Sequence, residues 1–104
     1  MAILTLAENI ADHIGLIASY EAAFPEKTKD SLELQKLFFI NYAKNWCTAM
    51  TPEYKKSHLK EDTHSLPESR VNEQVKHLNG FYEAFQCPAG SKMHIPESER
   101  IRIF

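Results

Sequence analysis

The sequence predicts a mainly α-helical chain. Three observations carry this. Apolar residues crowd residues 4–24 and 34–50 at helical spacing. Residues suited to helix starts stand just before such stretches, as at Thr51-Pro52. Polar and Pro-containing runs separate them, as in Pro25-Glu26-Lys27-Thr28-Lys29-Asp30.

The first helix is predicted from Thr5, as N-cap, to about Phe24, with Pro25 beyond it. Ile10, Ala11, Ile14, Leu16, Ile17, Tyr20 and Phe24 fall nearly all the way round, so it is expected to be buried on most sides. Gly15 inside it costs about 1 kcal/mol relative to Ala, which predicts a second backbone approaching closely there. A second helix is predicted from Asp30 or Ser31, with Glu33 completing a capping box, to near Met50. Its wide apolar arc places Phe38, Phe39 and Trp46 in the core. A third, short helix spans Pro52 to about Lys60, anchored by Tyr54 and Leu59 and basic outside. Glu61 to about Val71 reads as a loop and Val71 to Val75 as a short extended piece. Asn79 caps a last helix, Phe81 to Phe85, stopped by Pro88.

A chain of 104 residues holds at most one small domain, residues 1–104. A formal net charge of −2 argues against nucleic acid or an anionic membrane as partner. No stretch approaches the roughly 20 apolar residues that cross a bilayer. The first residues lack the basic flank of a signal peptide, so no targeting signal is read. Cys47 and Cys87 fit free thiols, one bridge, or two half-bridges with partners elsewhere. The five histidines form no H-E-x-x-H and no close pair, so no self-sufficient zinc motif is present.

One stretch asks for chemistry. Glu8 and Asp12 are four apart, so a helix carries both carboxylates on one face. Like charges at that spacing repel by about 0.2–0.5 kcal/mol, and no Lys or Arg precedes Lys27. A divalent metal held by Glu8, with Asp12 bracing a neighbouring ligand, would satisfy the pair. So would solvation of both carboxylates at a helix N-terminus, where acidic residues are common.

Several landmarks, in order, resemble the C-terminal part of the neprilysin-like zinc metallopeptidases, the M13 family. Glu8-Asn9-Ile10-Ala11-Asp12 is similar to the family's second zinc motif, E-x-x-x-D. Leu37-Phe38-Phe39 through Trp46-Cys47 is similar to its Phe-rich helix ending in Trp-Cys, and Pro52-Glu53-Tyr54 to the segment after that helix. Asp62-Thr63-His64-Ser65 with Arg70 resembles its D-x-H-S…R loop. Phe81 through Ala84-Phe85 and Cys87 resembles its E-A-F-x-C helix.

The resemblance implies a helical C-terminal portion of a zincin-type catalytic domain, with zinc as cofactor and short peptides as substrates. Glu8 would be the third zinc ligand, beside two His of an H-E-x-x-H segment. Asp12 would orient a ligand His and raise its basicity. His64 would stabilise the oxyanion, where one lost donor costs about 2.7–4 kcal/mol of barrier. Asp62 would orient His64, and Arg70 would bind a substrate carbonyl. An extracellular or cell-surface setting is implied too.

The chain departs from the family pattern. It has no H-E-x-x-H, so zinc would need an upstream segment, and these residues alone are expected to be inactive. Ile101 stands where family members carry a tail Cys bridged to an upstream Cys. Family counterparts of Cys47 and Cys87 pair with Cys absent here, which leaves these two unpaired or paired with each other. Leu66 lies between Ser65 and Pro67, where Ser-Pro is common, and Ser69 precedes Arg70, where an aromatic is common. Two other readings stand beside the enzyme: a truncated, non-catalytic relative serving as an interaction module, and a plain helical domain. The apolar first helix, taken from its domain, is expected to cause self-association.

Overall fold

The computed structural model describes residues 2–102. Among the described residues five helices run in order: α1 Ala2–Ala23, α2 Leu32–Asn45, α3 Pro52–Glu61, α4 Pro67–Val75 and α5 Asn79–Phe85. Single 3-10 turns lie at Lys29–Ser31 and Glu97–Glu99. No strand occurs among the described residues. The mainly α expectation holds; several boundaries differ for identifiable reasons.

Helix α1 begins at Ala2, so Thr5 is not its cap. Thr5 lies inside the helix, where its hydroxyl accepts a hydrogen bond from Asn9 Nδ2 at 3.1 Å. The expectation that α1 is buried on most sides is not met. His13, Leu16 and Tyr20 face inward, whereas Leu4, Leu6 and Ile10 are exposed. At the far end Lys27 Nζ reaches the Phe24 carbonyl at 3.0 Å and Glu21 at 2.7 Å, a cation suited to the negative end of the helix.

The capping box before α2 joins Thr28 and Ser31 rather than Asp30 and Glu33. Helix α2 stops at Asn45, short of Met50, because Trp46 leaves helical backbone at φ −103°, ψ 2°. Thr51 caps α3 as expected, its hydroxyl accepting from the Tyr54 N–H at 3.1 Å, with Pro52 next. Residues 67–75 are helical, not loop and extended piece: Pro67 sits at the first helical position, where its missing N–H costs nothing. Helix α5 starts at Asn79 behind Leu78. It ends at Gln86, in left-handed backbone at φ 52°, before Pro88 is reached.

The core gathers Leu16, Tyr20, Phe39, Val75 and Leu78, with Phe24, Phe38, Phe81 and Phe85 packed round it. Phe39 is the hub: its ring stacks on Tyr20 at 5.3 Å and meets Phe38 and Phe81 edge-on at 5.4 and 5.6 Å. Such pairs add about 0.5–1.5 kcal/mol beyond area burial. One polar group is enclosed with them. Gln35, 1% exposed, accepts from Tyr20 Oη at 2.6 Å and donates to Ser31 Oγ at 2.7 Å, so α1, α2 and the preceding turn are joined inside the core. Burial pushes the Tyr20 hydroxyl pKa up to about 12.

The tail is held without a cysteine. Tyr82 Oη accepts from the Ile95 N–H at 3.1 Å, and the Arg100 guanidinium lies 3.7 Å from the Tyr82 ring centroid and bonds Asn79 at 2.9 Å. The Ile101 N–H donates to His77 Nδ1 at 3.0 Å. Both cysteines are free, Cys47 exposed and Cys87 half-buried.

Gly15 has open space where a Cβ would stand, so the expected backbone approach is absent there. It occurs at Gly80, where a Cβ would overlap the Tyr20 ring and hydroxyl. Gly15→Ala should therefore stabilise the chain by about 1 kcal/mol. Gly80→Ala should destabilise it by about 1–3 kcal/mol, and thermal melts followed by circular dichroism will read opposite signs. Burial, then His13, holds the His77 pKa below its usual 6.5, so the folded chain takes up this proton less readily than the unfolded one. Stability should be complete above about pH 6.5 and fall as pH drops through the lowered folded value. Urea melts across that range should show a shallower dependence for His77→Gln, whose amide oxygen still accepts from Ile101.

Candidate functional site

Glu8 and Asp12 lie one turn apart on α1, beyond its first turn. The helix dipole acts mainly within that turn, so a favoured acidic N-terminus does not account for this pair. What meets them comes from more than 50 residues away, from the loop that follows α3 and from α4.

Asp12 is held by Arg70. Arg70 Nε and Nη2 each donate to one Asp12 oxygen at 2.8 Å, a two-pronged pair whose side chains are only 17% and 14% exposed. The Asp12 hydrogen bond raises the Arg70 pKa further above its ordinary value. Of the five N–H donors of a guanidinium, three remain for another acceptor. The Trp46 ring covers the guanidinium at 3.9 Å. Tyr42, one turn earlier on α2, donates its hydroxyl to the Arg70 carbonyl at 2.9 Å, and burial raises its pKa. Trp46 is therefore not simply a core aromatic.

Glu8 faces His64. Glu8 Oε2 stands 3.5 Å from His64 Nε2, and each side chain is 43% exposed. The other face of His64 is bound by Asp62, whose Oδ1 accepts from both the backbone N–H and Nδ1 of His64 at 2.8 Å. The backbone N–H first, and the ring second, hold the Asp62 pKa below the usual carboxylate range. Asp62 also ends α3, its N–H bonding the His58 carbonyl at 3.0 Å.

Two further contacts stitch α1 to this loop. Ser65 Oγ donates to Asn9 Oδ1 at 2.6 Å, and Gln74 Nε2 donates to the Asn9 carbonyl at 2.9 Å. A cleft of about 420 Å³ opens beside the site, with Trp46, His58, Asp62, His64 and Arg70 in its walls. The five residues singled out by sequence thus fall into two contact sets, Glu8–His64–Asp62 and Asp12–Arg70, which start one turn apart on the same face of α1.

Sequence reasoning missed Tyr42, Trp46, Asn9 and His58. The first two carried a signal: four apart on a helix, they share a face, and that face is turned to α4. Asn9 and His58 had no local signal for this site, because the Ser65, Gln74 and His64 groups they meet lie across a loop or on another element.

The donor set fits zinc only as a contributor. Among the described residues no three His, Cys, Asp or Glu side chains converge to hold a metal ion. Glu8 offers a half-exposed carboxylate with no Lys or Arg ion pair among the described residues, and carboxylate oxygen suits zinc.

The family described as "Peptidase family M13" matches residues 2–101. Membrane metallo-endopeptidase-like 1 of Mus musculus is 42% identical over 96% of this chain and 14% of its own length. Neprilysin-1 of Caenorhabditis elegans is 41% identical over 88% of the chain and 14% of itself. Endothelin-converting enzyme 1 of Cavia porcellus is 40% identical over 86% and 13%. The chain therefore spans about one seventh of the length of the relatives it matches. No solved structure matches. No helix among the described residues is long and apolar enough to cross a membrane. With a matched region running almost end to end and identities near 40%, this chain belongs to peptidase family M13, the neprilysin-like metallopeptidases.

Proposed function

We propose that the chain is a C-terminal portion of the catalytic domain of a zinc metalloendopeptidase that hydrolyses short peptides, on the amino side of hydrophobic residues. The observation behind this reading is the meeting of Glu8 and Asp12 on α1 with His64 and Arg70 from beyond α3. Glu8 is the third protein ligand of the metal. The two His ligands and the water-activating Glu come from an H-E-x-x-H segment that these 104 residues do not contain. Bound there, zinc supplies a Lewis acid and an acidified water.

The chain's own residues hold and orient. His64, with Nδ1–H on Asp62, offers Nε2 to the cleft; a proton there makes it a donor to the developing oxyanion. Arg70 directs its remaining donors at a substrate carbonyl. Asp12 fixes Arg70 and keeps lone pairs for the N–H of a ligand His, since a carboxylate offers about four acceptor sites. An extracellular or cell-surface setting accompanies this reading.

The test is peptide hydrolysis by a protein that joins this chain to an H-E-x-x-H segment. Glu8→Ala should lose zinc and hydrolysis together. His64→Ala should keep zinc while kcat falls by about 10²–10³. Arg70→Lys should lower kcat/KM by about tenfold or more, since one ammonium cannot span both Asp12 and substrate. Unchanged hydrolysis in Glu8→Ala would refute the assignment.

The absence of a three-ligand cluster among the described residues favours a second reading for the chain by itself, a non-catalytic interaction module. Exposed Leu6, Ile10, Leu34 and Leu37 would then drive self-association. Calorimetric titration of the isolated chain should show no stoichiometric binding at micromolar zinc, and light scattering should report a mass above one chain. Tight binding abolished by Glu8→Ala would contradict the first expectation, and a monodisperse monomer with a cooperative melt the second.

A further inference from the structure

His58 sits in the last turn of α3 with its side chain 11% exposed, and Tyr54, one turn earlier, packs its ring 6.2 Å away. Its Nε2 lies 2.8 Å from the carbonyl oxygen of His64. A carbonyl only accepts, so Nε2 carries the hydrogen, and in a neutral ring Nδ1 is then a bare lone pair. That Nδ1 is shielded from solvent and has no hydrogen-bond partner. Asp62 Oδ2 is 3.7 Å away, too far to bond and itself an acceptor. An imidazole buried with one nitrogen unsatisfied costs free energy that Leu or Phe at this position would avoid. What the imidazole supplies in return is the bond to His64.

We infer that His58 is a positioning residue for His64, closing a brace that Asp62 begins. The role assigned to His64 rests on the peptidase reading; the contacts stand without it. His58 stands in the last turn of α3 and Asp62 follows its last residue as the cap, so the end of that helix supplies both. Asp62 takes the N–H and Nδ1 of His64, and His58 takes its carbonyl. Three of the four polar groups of His64 are thus fixed by the last turn of α3 and its cap. The fourth, Nε2, is left toward Glu8. A displacement of about 1 Å at a reacting group can cost about 10²-fold in rate, so a loop residue with this duty needs such holding. Ser65, bonded to Asn9, pins the next residue of the same loop.

The test uses the 104-residue chain and nitrogen-detected NMR of its histidine rings at mildly alkaline pH, where imidazoles are neutral. In the unmodified chain His58 should show the Nε2–H tautomer and His64 the Nδ1–H tautomer. His58→Leu should broaden His64 and move it toward the mixed tautomers of free imidazole. His58→Gln, whose amide can still donate to the carbonyl, should restore the unmodified pattern. The inference is overturned if His58 carries its hydrogen on Nδ1, if His58→Leu leaves His64 unchanged, or if His58→Gln behaves as His58→Leu. Should His58→Leu lose the dispersed signals of the Phe39 core, the tautomer of His58 in the unmodified chain decides alone. Neither zinc nor peptide enters this measurement. Its failure therefore leaves the peptidase reading standing, and loss of that reading leaves these contacts to be measured.

Discussion

One guanidinium ties the functional side of this chain together. Arg70 bonds both oxygens of Asp12 on α1, lies under Trp46 at the end of α2, and belongs to α4, whose backbone Tyr42 also holds. Charge-assisted pairs of this fork geometry are among the stronger hydrogen bonds available to side chains. Because both partners are largely shielded from water, deleting either would strand the other, at roughly 3–5 kcal/mol. The direction and position of α1 relative to α4 depend on that pair, and with them the placement of Glu8 before His64.

The aromatic core does a separate job. Phe39, Tyr20 and Phe81 lock α2 between α1 and α5, and Gln35 selects one register by demanding both Tyr20 and Ser31. Apolar rings pack tolerably in several ways, whereas a buried amide is satisfied in few. Helix α2 then carries Tyr42 and Trp46 from this core to the site, so the packing of Phe39 and the setting of Arg70 lie on one rigid element.

Much of this was legible in the sequence where local chemistry decides. Thr51-Pro52 marks a helix start through its own hydroxyl and ring, and α3 begins where it should. The four-residue spacing of Glu8 and Asp12 puts both on one helix face whatever their partners. The order Asp62, His64, Arg70 named the partners only through the family resemblance; spacing alone did not. Legibility failed where a residue has two meanings. Pro67 breaks a helix interior yet suits a first position, and only the packing of Val75 against Leu16 and Leu78 chooses the second. Gly15 and Gly80 look alike in sequence, but the ring that makes one of them necessary comes from a different helix. Trp46 reads as core because it is apolar; its neighbour turned out to be a cation.

The two acidic residues of α1 end up in different media. Asp12 and Arg70 share an enclosed contact, whereas Glu8 and His64 stand nearly half open to solvent. Dissolved salt screens charges in water strongly and shielded charges little. Whenever His64 carries its second proton, rising ionic strength therefore slackens the outer pair while the inner one keeps its grip. A single helix face thus carries one carboxylate that answers to its surroundings and one that answers only to the fold.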